Sequence, residues 1–155
     1  MSAIALLYST RAVGRSETAC RCRSARSNTG NVASAVAVQA YCGYLDSHRK
    51  ELRIMRYARM LCAFDKVFLK PGSSATVQLA VTLRTLARYD PDGTSVDLKG
   101  KTVRGSYVVD AGRYTVAVGD CSAAGSAIGL HDAVLCAQQH ANFTVAKTVE
   151  FNGKH

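Results

Sequence analysis

At 155 residues the chain has room for one domain of ordinary size, which excludes two full catalytic domains. Apolar residues make up 48% and charged residues 20%, the balance of a chain that buries a core rather than of a disordered one. The net charge of +9 is uneven: residues 1 to 60 carry ten Lys/Arg against three acids and residues 61 to 155 ten against eight, so a nucleic-acid footprint over the whole chain is excluded.

In chain order, Asn28-Thr-Gly-Asn31 is a turn-prone cluster. After it, Ser34 to Tyr41 reads as a strand with Val36, Val38 and Ala40 on one face and Gln39 and Tyr41 on the other. Ser47 to Met60 is basic and lacks proline and glycine, and its apolar residues Leu52, Ile54, Met55 and Tyr57 form no single helical stripe. It is expected to be a long loop with helical turns.

Phe64 to Leu69 is extended, and Lys70-Pro-Gly-Ser73 is a turn because proline presets φ and glycine accepts positive φ. Ala75 to Leu83 then alternates Val77, Leu79, Val81 and Leu83 with Thr76, Gln78, Ala80 and Thr82, the pattern of a strand with one buried face. The two strands are expected to pair as a hairpin. Asp90-Pro-Asp-Gly93 reads as a type I turn. Tyr107 to Val109 and Arg113 to Val118 flank Asp110-Ala-Gly112 and are expected to form a second hairpin. Phe143 to Phe151 alternates as one further strand, where Lys147 on the apolar face marks an edge or a strand end. Five or six short strands between turns predict an all-β fold, an antiparallel β-sandwich.

These segments carry a resemblance. Asn28-Thr-Gly30, Val38-Gln-Ala-Tyr41, Leu61 to Gly72 (with Phe64, Pro71 and Gly72), Leu86 to Asp90, and Val109 to Gly119 (with Gly112 and Tyr114) follow one another in the order found in a known domain. The chain resembles the C-terminal fibronectin type III-like domain of glycoside hydrolase family 3, which contains β-glucosidases and β-xylosidases. Ala63 and Ala111 depart from the family's usual glycine and proline, and residues 94 to 106 look longer than the usual connection.

The strand that the resemblance requires before Asn28 reads Cys20-Arg-Cys-Arg-Ser-Ala-Arg26, with Ser24 and Arg26 at inward positions. An unpaired buried arginine would cost several kcal/mol. Residues 1 to 26 are therefore expected to be a poorly matched, disordered extension, 27 to 151 the immunoglobulin/fibronectin type III-like sandwich, and 152 to 155 a tail.

The resemblance implies an accessory role. In that family the nucleophile and the acid/base lie on preceding domains, so this chain is expected to be a fragment, without catalytic residues of its own, that packs on the catalytic domains of a family 3 glycosidase in cis or in trans. Independently of the resemblance, a glycosidase needs two carboxylates at a set spacing in different environments. Here Asp65, Asp90, Asp92, Asp97, Asp110, Asp120 and Asp132 fall mostly in turns, where aspartate bonds its own backbone.

The four histidines form no HxH or HExxH pattern, no Gly-x-Ser-x-Gly is present, and the Gly119 to Gly125 cluster reads as a turn. No cofactor motif is found. The six cysteines contain no CxxC pair and none lies near a histidine at zinc-ligand spacing, so they are expected to be buried or free thiols and no metal is expected. No apolar run reaches the roughly 20 residues of a membrane helix, and Ala3 to Tyr8 is too short for a signal sequence.

His48, Arg49, Lys50, Arg53, Arg56 and Arg59, with Tyr44 and Tyr57 nearby, have the mix of single-stranded nucleic-acid binders, yet read as a solvated loop. The residues expected to make a docking surface are Gln39, Tyr41, Tyr44 and Tyr57, since tyrosine gives large, rigid contact area. Two other classes stay open: a free-standing carbohydrate- or protein-binding sandwich, for which the absence of tryptophan is a handicap, and a basic nucleic-acid-binding protein. Asn142-Phe-Thr144 is a glycosylation sequon whose use depends on entry into the secretory pathway.

Overall fold

A computed structural model describes residues 6–7, 18–45, 59–96, 101–120 and 139–151. In order, the elements are β1 (Leu6–Leu7), β2 (Thr18–Ser27), β3 (Ser34–Tyr44), β4 (Met60–Leu69), β5 (Ser74–Thr82), α1 (Leu83–Leu86), β6 (Arg88–Val96), β7 (Thr102–Val109), β8 (Gly112–Gly119), β9 (Gln139–Val145) and β10 (Val149–Phe151). All the ladders are antiparallel. They form a four-stranded sheet in the order β4-β3-β8-β9 and two three-stranded sheets, β1-β2-β5 and β10-β7-β6. Side chains from all three sheets meet in one core, including Val38, Val81, Val109, Val116 and Phe143. This is the all-β sandwich expected from the alternating strands.

The run that looked unfit for a strand is one. Thr18–Ser27 pairs with β5 along its length, from Thr18 opposite Thr82 to Ser27 opposite Ser74. This corrects the expectation for residues 18 to 26 within the N-terminal extension. Cys20, Cys22 and Ser24 turn inward and are buried, while Arg21 and Arg23 alternate outward to solvent. Cysteine acts here as a small hydrophobe. Arg26, near the strand end, is half-buried as a residue, with its Nε buried and without a hydrogen-bond partner among the described residues.

Neither predicted hairpin forms. β4 pairs with β3 and β5 with β2, so Lys70–Ser73 carries the chain from one sheet to another. Likewise β7 pairs with β6 and β10, whereas β8 pairs with β3 and β9, so Asp110–Ala111 is also a crossing. The C-terminal strand divides at Lys147: β9 stays in the four-stranded sheet and β10 joins β7. In each case alternation continues through the crossing because both strands present a face to the same core.

Asp90-Pro-Asp-Gly93 is a bulge inside β6 rather than a turn, the register stepping from Asp90 opposite Ser106 to Thr94 opposite Arg104. Within the stretch that looked like a long connection, residues 94–96 end β6 and residues 102–106 begin β7. The short α1 begins at Thr82, whose Oγ1 accepts from the Thr85 amide at 3.2 Å.

Two turn motifs hold the sheets together. Asn28 Nδ2 donates to Val32 O at 2.8 Å and to Leu69 O at 3.0 Å, and its Oδ1 accepts from the Gly30 amide at 3.0 Å. Its backbone N–H donates to Ser73 O, and its carbonyl accepts from the Gly72 amide, both at 2.9 Å. One asparagine thus ties the 28–32 turn to the Lys70–Ser73 crossing, where Gly72 sits at φ +70°. At the other crossing Gly112 has φ +147°, and a Cβ there would lie 2.5 Å from Tyr44 Oη. Glycine is required by both conformation and space.

Candidate functional site

The strand alternation that fills the core also composes the outer face of the four-stranded sheet. Val38 and Ala40 of β3 point inward, so Ala35, Ala37, Gln39 and Tyr41 point outward. The β3–β4 register sets Phe68 opposite Ala35, Lys66 opposite Ala37, Phe64 opposite Gln39 and Leu61 opposite Tyr41. Phe64 is 70% exposed, Phe68 64% and Leu61 44%. On the other side β8 brings Gly119 opposite Gln39 and Ala117 opposite Tyr41, and β9 brings exposed His140 opposite Ala117.

The result is a face with two bare phenylalanines and a leucine on one edge and small residues in the middle. Tyr41 Oη donates to Gln39 Oε1 at 2.6 Å, which holds the two side chains to each other. Covering one exposed phenylalanine would contribute about 1.5–3 kcal/mol. Among the described residues, β4 is the edge strand of the four-stranded sheet. Exposed Asp65 and Lys66 place charges on that edge, and Asp65 Oδ1 accepts from the Lys66 amide at 2.7 Å. An open cleft of about 450 Å³ lies between β4 and β5, lined by Leu61 to Asp65 and by Gln78, Leu79 and Ala80.

Of the four residues expected to form a docking surface, Gln39 and Tyr41 lie on this face, both half-buried. Tyr44 is in the core. It is 6% exposed, its ring meets Tyr114 edge-on at 4.9 Å between centroids, and its hydroxyl donates to Ala111 O at 3.0 Å. Its place near the end of β3, beneath the Gly112 crossing, turns it inward. Tyr57, with the basic run from His48 to Arg56, lies outside the described residues, as do Asp97, Asp132, Cys121 and Cys136.

Among the motif residues, Tyr114 is buried, stacks on Phe143 at 5.4 Å and donates its hydroxyl to Asp110 O at 3.0 Å. Gly119 is buried in the β8 ladder. Of the motif's two aromatic residues, Phe64 faces solvent while Tyr114 is buried, and Pro71 at the crossing is exposed as well. Sequence reasoning missed Leu61 and Phe68 as site residues, although their outward phase follows once Cys62 is known to be a bulge.

The described carboxylates act locally. Asp90, buried at the β6 bulge, accepts the Asp92 amide at 3.0 Å, and Asp92 meets Arg104 in an exposed ion pair at 2.7 Å. Among the described residues, no three of His, Cys, Asp or Glu are placed to hold a metal ion. No described helix is long and apolar enough to cross a membrane.

An antiparallel all-β sandwich whose chain crosses between sheets at Lys70–Ser73 and at Asp110–Ala111 has the architecture of a fibronectin type III-like module. The family profile agrees: the fibronectin type III-like domain matches residues 36–122, and the chain belongs to that family. It is 36% identical over 86 residues to the probable beta-glucosidase M of Emericella nidulans, a match covering 56% of this chain and 10% of that protein.

Two solved structures share the fold. Beta-glucosidase 3B from Thermotoga neapolitana aligns over 98% of this chain and 17% of its own, with 23% identity and a TM-score of 0.62. The GH3 beta-glucosidase of Bifidobacterium adolescentis aligns over 93% of this chain and 17% of its own, with 25% identity and a TM-score of 0.56. The chain thus spans only a tenth to a sixth of these relatives.

Proposed function

We propose that this chain is a non-catalytic accessory module of a family 3 glycoside hydrolase of the β-glucosidase or β-xylosidase type. It acts by packing on the enzyme's catalytic domains, in cis within a longer protein or in trans, and so stabilises them. The observation that carries this reading is the exposed apolar row Leu61, Phe64 and Phe68 beside the hydrogen-bonded Gln39–Tyr41 pair, on a module whose relatives include much longer β-glucosidases. A contiguous exposed apolar row of this kind supports a contact with protein.

Two measurements test the reading. The purified chain is expected to show no turnover of aryl β-glucosides or β-xylosides; activity that tracks the protein through repurification would overturn the non-catalytic role. A β-glucosidase relative produced without its matched segment is expected to recover solubility and activity when co-produced with this chain. Failure of recovery with the parent enzyme's own catalytic region would sink the packing role.

A carbohydrate-binding reading has one specific support, the exposed Tyr89–Tyr107 pair on the β6–β7 hairpin. Its rings meet edge-on, with 62° between planes, and so offer a sugar no flat platform. Retardation in an affinity gel containing a β-glucan would favour this reading over protein packing.

A further inference from the structure

The backbone of β4 has a direction as well as its side chains. In an antiparallel ladder, opposed residues alternate between pairs that exchange both backbone hydrogen bonds and pairs that exchange none. The β3–β8 register runs unbroken to Tyr44 opposite Tyr114, and one step further the Leu45 amide donates to Arg113 O at 2.9 Å. Leu45 therefore turns its amide and carbonyl toward β8, and so, two by two, do Gly43, Tyr41 and Gln39. Ala40, Val38 and Val36 turn theirs toward β4, where they meet Ala63, Asp65 and Val67.

The β3–β4 register has no break between Ser34 opposite Leu69 and Ala40 opposite Ala63; beyond it Tyr41 opposes Leu61, with Cys62 the extra residue of a bulge. Over the regular part, the backbone groups left for the far side of β4 are those of Phe64, Lys66 and Phe68. These residues also point their side chains to the outer face, because both alternations have a period of two.

Among the described residues, no strand pairs with this side of β4. A row of edge amides and carbonyls is a template for a further strand. Its middle donor is taken. Asp65 turns its main chain toward β3, yet its carboxylate reaches the edge, where Oδ1 accepts the Lys66 N–H at 2.7 Å in an exposed setting. That oxygen sits where the carbonyl of an added strand would have to lie. The added strand either forgoes its central bond or pushes a carboxylate into its own carbonyls, and one polar group left unsatisfied weakens association by roughly 5- to 150-fold.

The strand that this edge would otherwise suit is its own copy. Two β4 strands about a two-fold axis at Lys66 would set Phe64 of each opposite Phe68 of the other, an aromatic pairing that stabilises antiparallel neighbours. The same register opposes the two Lys66 side chains, and like charges there are unfavourable. A shift of register relieves the lysines. Any antiparallel register that spans the strand still needs the Lys66 amide.

We propose that Asp65, through its hydrogen bond to the Lys66 amide, closes the β4 edge to strand addition by a second copy of this chain. The outer face is thereby kept for contacts made by its side chains. Lys66 is the lesser guard, since its charge acts in one register and the blocked amide acts in all.

The test uses the full chain alone. Wild type is expected to sediment as a monomer, with residue-resolved amide exchange slow at Asp65 and Val67, which bond to β3, and fast at Phe64 and Phe68. Lys66→Thr, which removes only the charge, should stay monomeric. Asp65→Ala combined with Lys66→Thr should dimerise, with a dissociation constant at least about 10-fold below that of any association of Lys66→Thr. Its Phe64 and Phe68 amides should become protected as concentration rises. Asp65→Asn combined with Lys66→Thr keeps an oxygen acceptor and should remain monomeric. Both positions are exposed, so these variants are expected to fold. Pairing of wild type or of Lys66→Thr through β4, a monomeric Asp65→Ala, Lys66→Thr protein, association without protection at Phe64 and Phe68, or an asparagine variant that associates like the alanine one would each overturn the proposal. No catalytic region enters these measurements, so the proposal and the packing reading fail separately.

Discussion

The two faces of the four-stranded sheet are made by the same strands with the same alternation, yet they have opposite fates. Inward, Val38, Ala40, Tyr114, Val116 and Phe143 are almost fully buried and interlocked by ring contacts of 4.9 and 5.4 Å. Outward, Phe64 and Phe68 stand in solvent beside a hydrogen-bonded Gln39–Tyr41 pair. The inner face is complete without help, while the outer face carries apolar area that contributes nothing to the isolated chain. Alternation, with the bulge at Cys62 counted, therefore fixes which residues share a face, and exposure distinguishes the finished core from the open face.

Substitutions that touch the inner face should act on folding, and the largest effect is expected at its crossing. Gly112→Val combines a φ of +147°, unfavourable for a β-branched residue, with a Cβ driven onto Tyr44, whose hydroxyl is already held by Ala111. Together strain and overpacking should cost more than about 4 kcal/mol, enough to leave the chain unfolded in a chemical denaturation series. A folded Gly112→Val protein of near-normal stability would show that Tyr44 is not fixed there.

Tyr114→Ala removes a ring stacked on Phe143 and edge-on to Tyr44 and should cost about 3–4 kcal/mol, read as a lower denaturant midpoint at unchanged slope. Next comes Asn28→Ala, which strips two carbonyls, Val32 O and the part-buried Leu69 O, of their donor. A loss of about 1–3 kcal/mol is expected. Asn28→Asp should fall in the same range, because a carboxylate keeps the Gly30 contact but cannot donate to either carbonyl.

Much of this inner architecture was legible. β3 and β5 were readable because their alternation is strict, and Asn28, Gly72 and Gly112 stood out as turn chemistry, though their partners did not. What failed was pairing. A turn such as Lys70–Ser73 looks the same whether the next strand returns beside the last or crosses to the facing sheet, since both put the same residues toward the core. β2 was misjudged because Cys20, Cys22 and Ser24 are small enough to line an inner face without looking apolar. Asp90-Pro-Asp-Gly93 has the composition of a turn, and only the β6–β7 register reveals it as a bulge. Of the outer face, Gln39 and Tyr41 are legible from alternation, whereas Tyr44, three residues from Tyr41, falls on the inward phase of the same strand, as the even-odd count places it.

The smallest expected effect on stability is also the one that decides what the outer face is for. Phe64→Ser and Phe68→Ser remove side chains 70% and 64% exposed and leave the core untouched, so each should change the stability of the isolated chain by no more than about 0.5 kcal/mol. If the face is an interface, each covered phenylalanine is worth about 1.5–3 kcal/mol of association, and losing one should weaken binding to a catalytic region by roughly 10- to 100-fold. The pair of numbers is the test: denaturation of the chain alone beside its affinity for the catalytic region, measured by calorimetry. Loss of affinity at constant stability assigns the row to docking. Equal losses in both would mean that the phenylalanines belong to the fold, and no loss in either would leave the outer face without a role in packing.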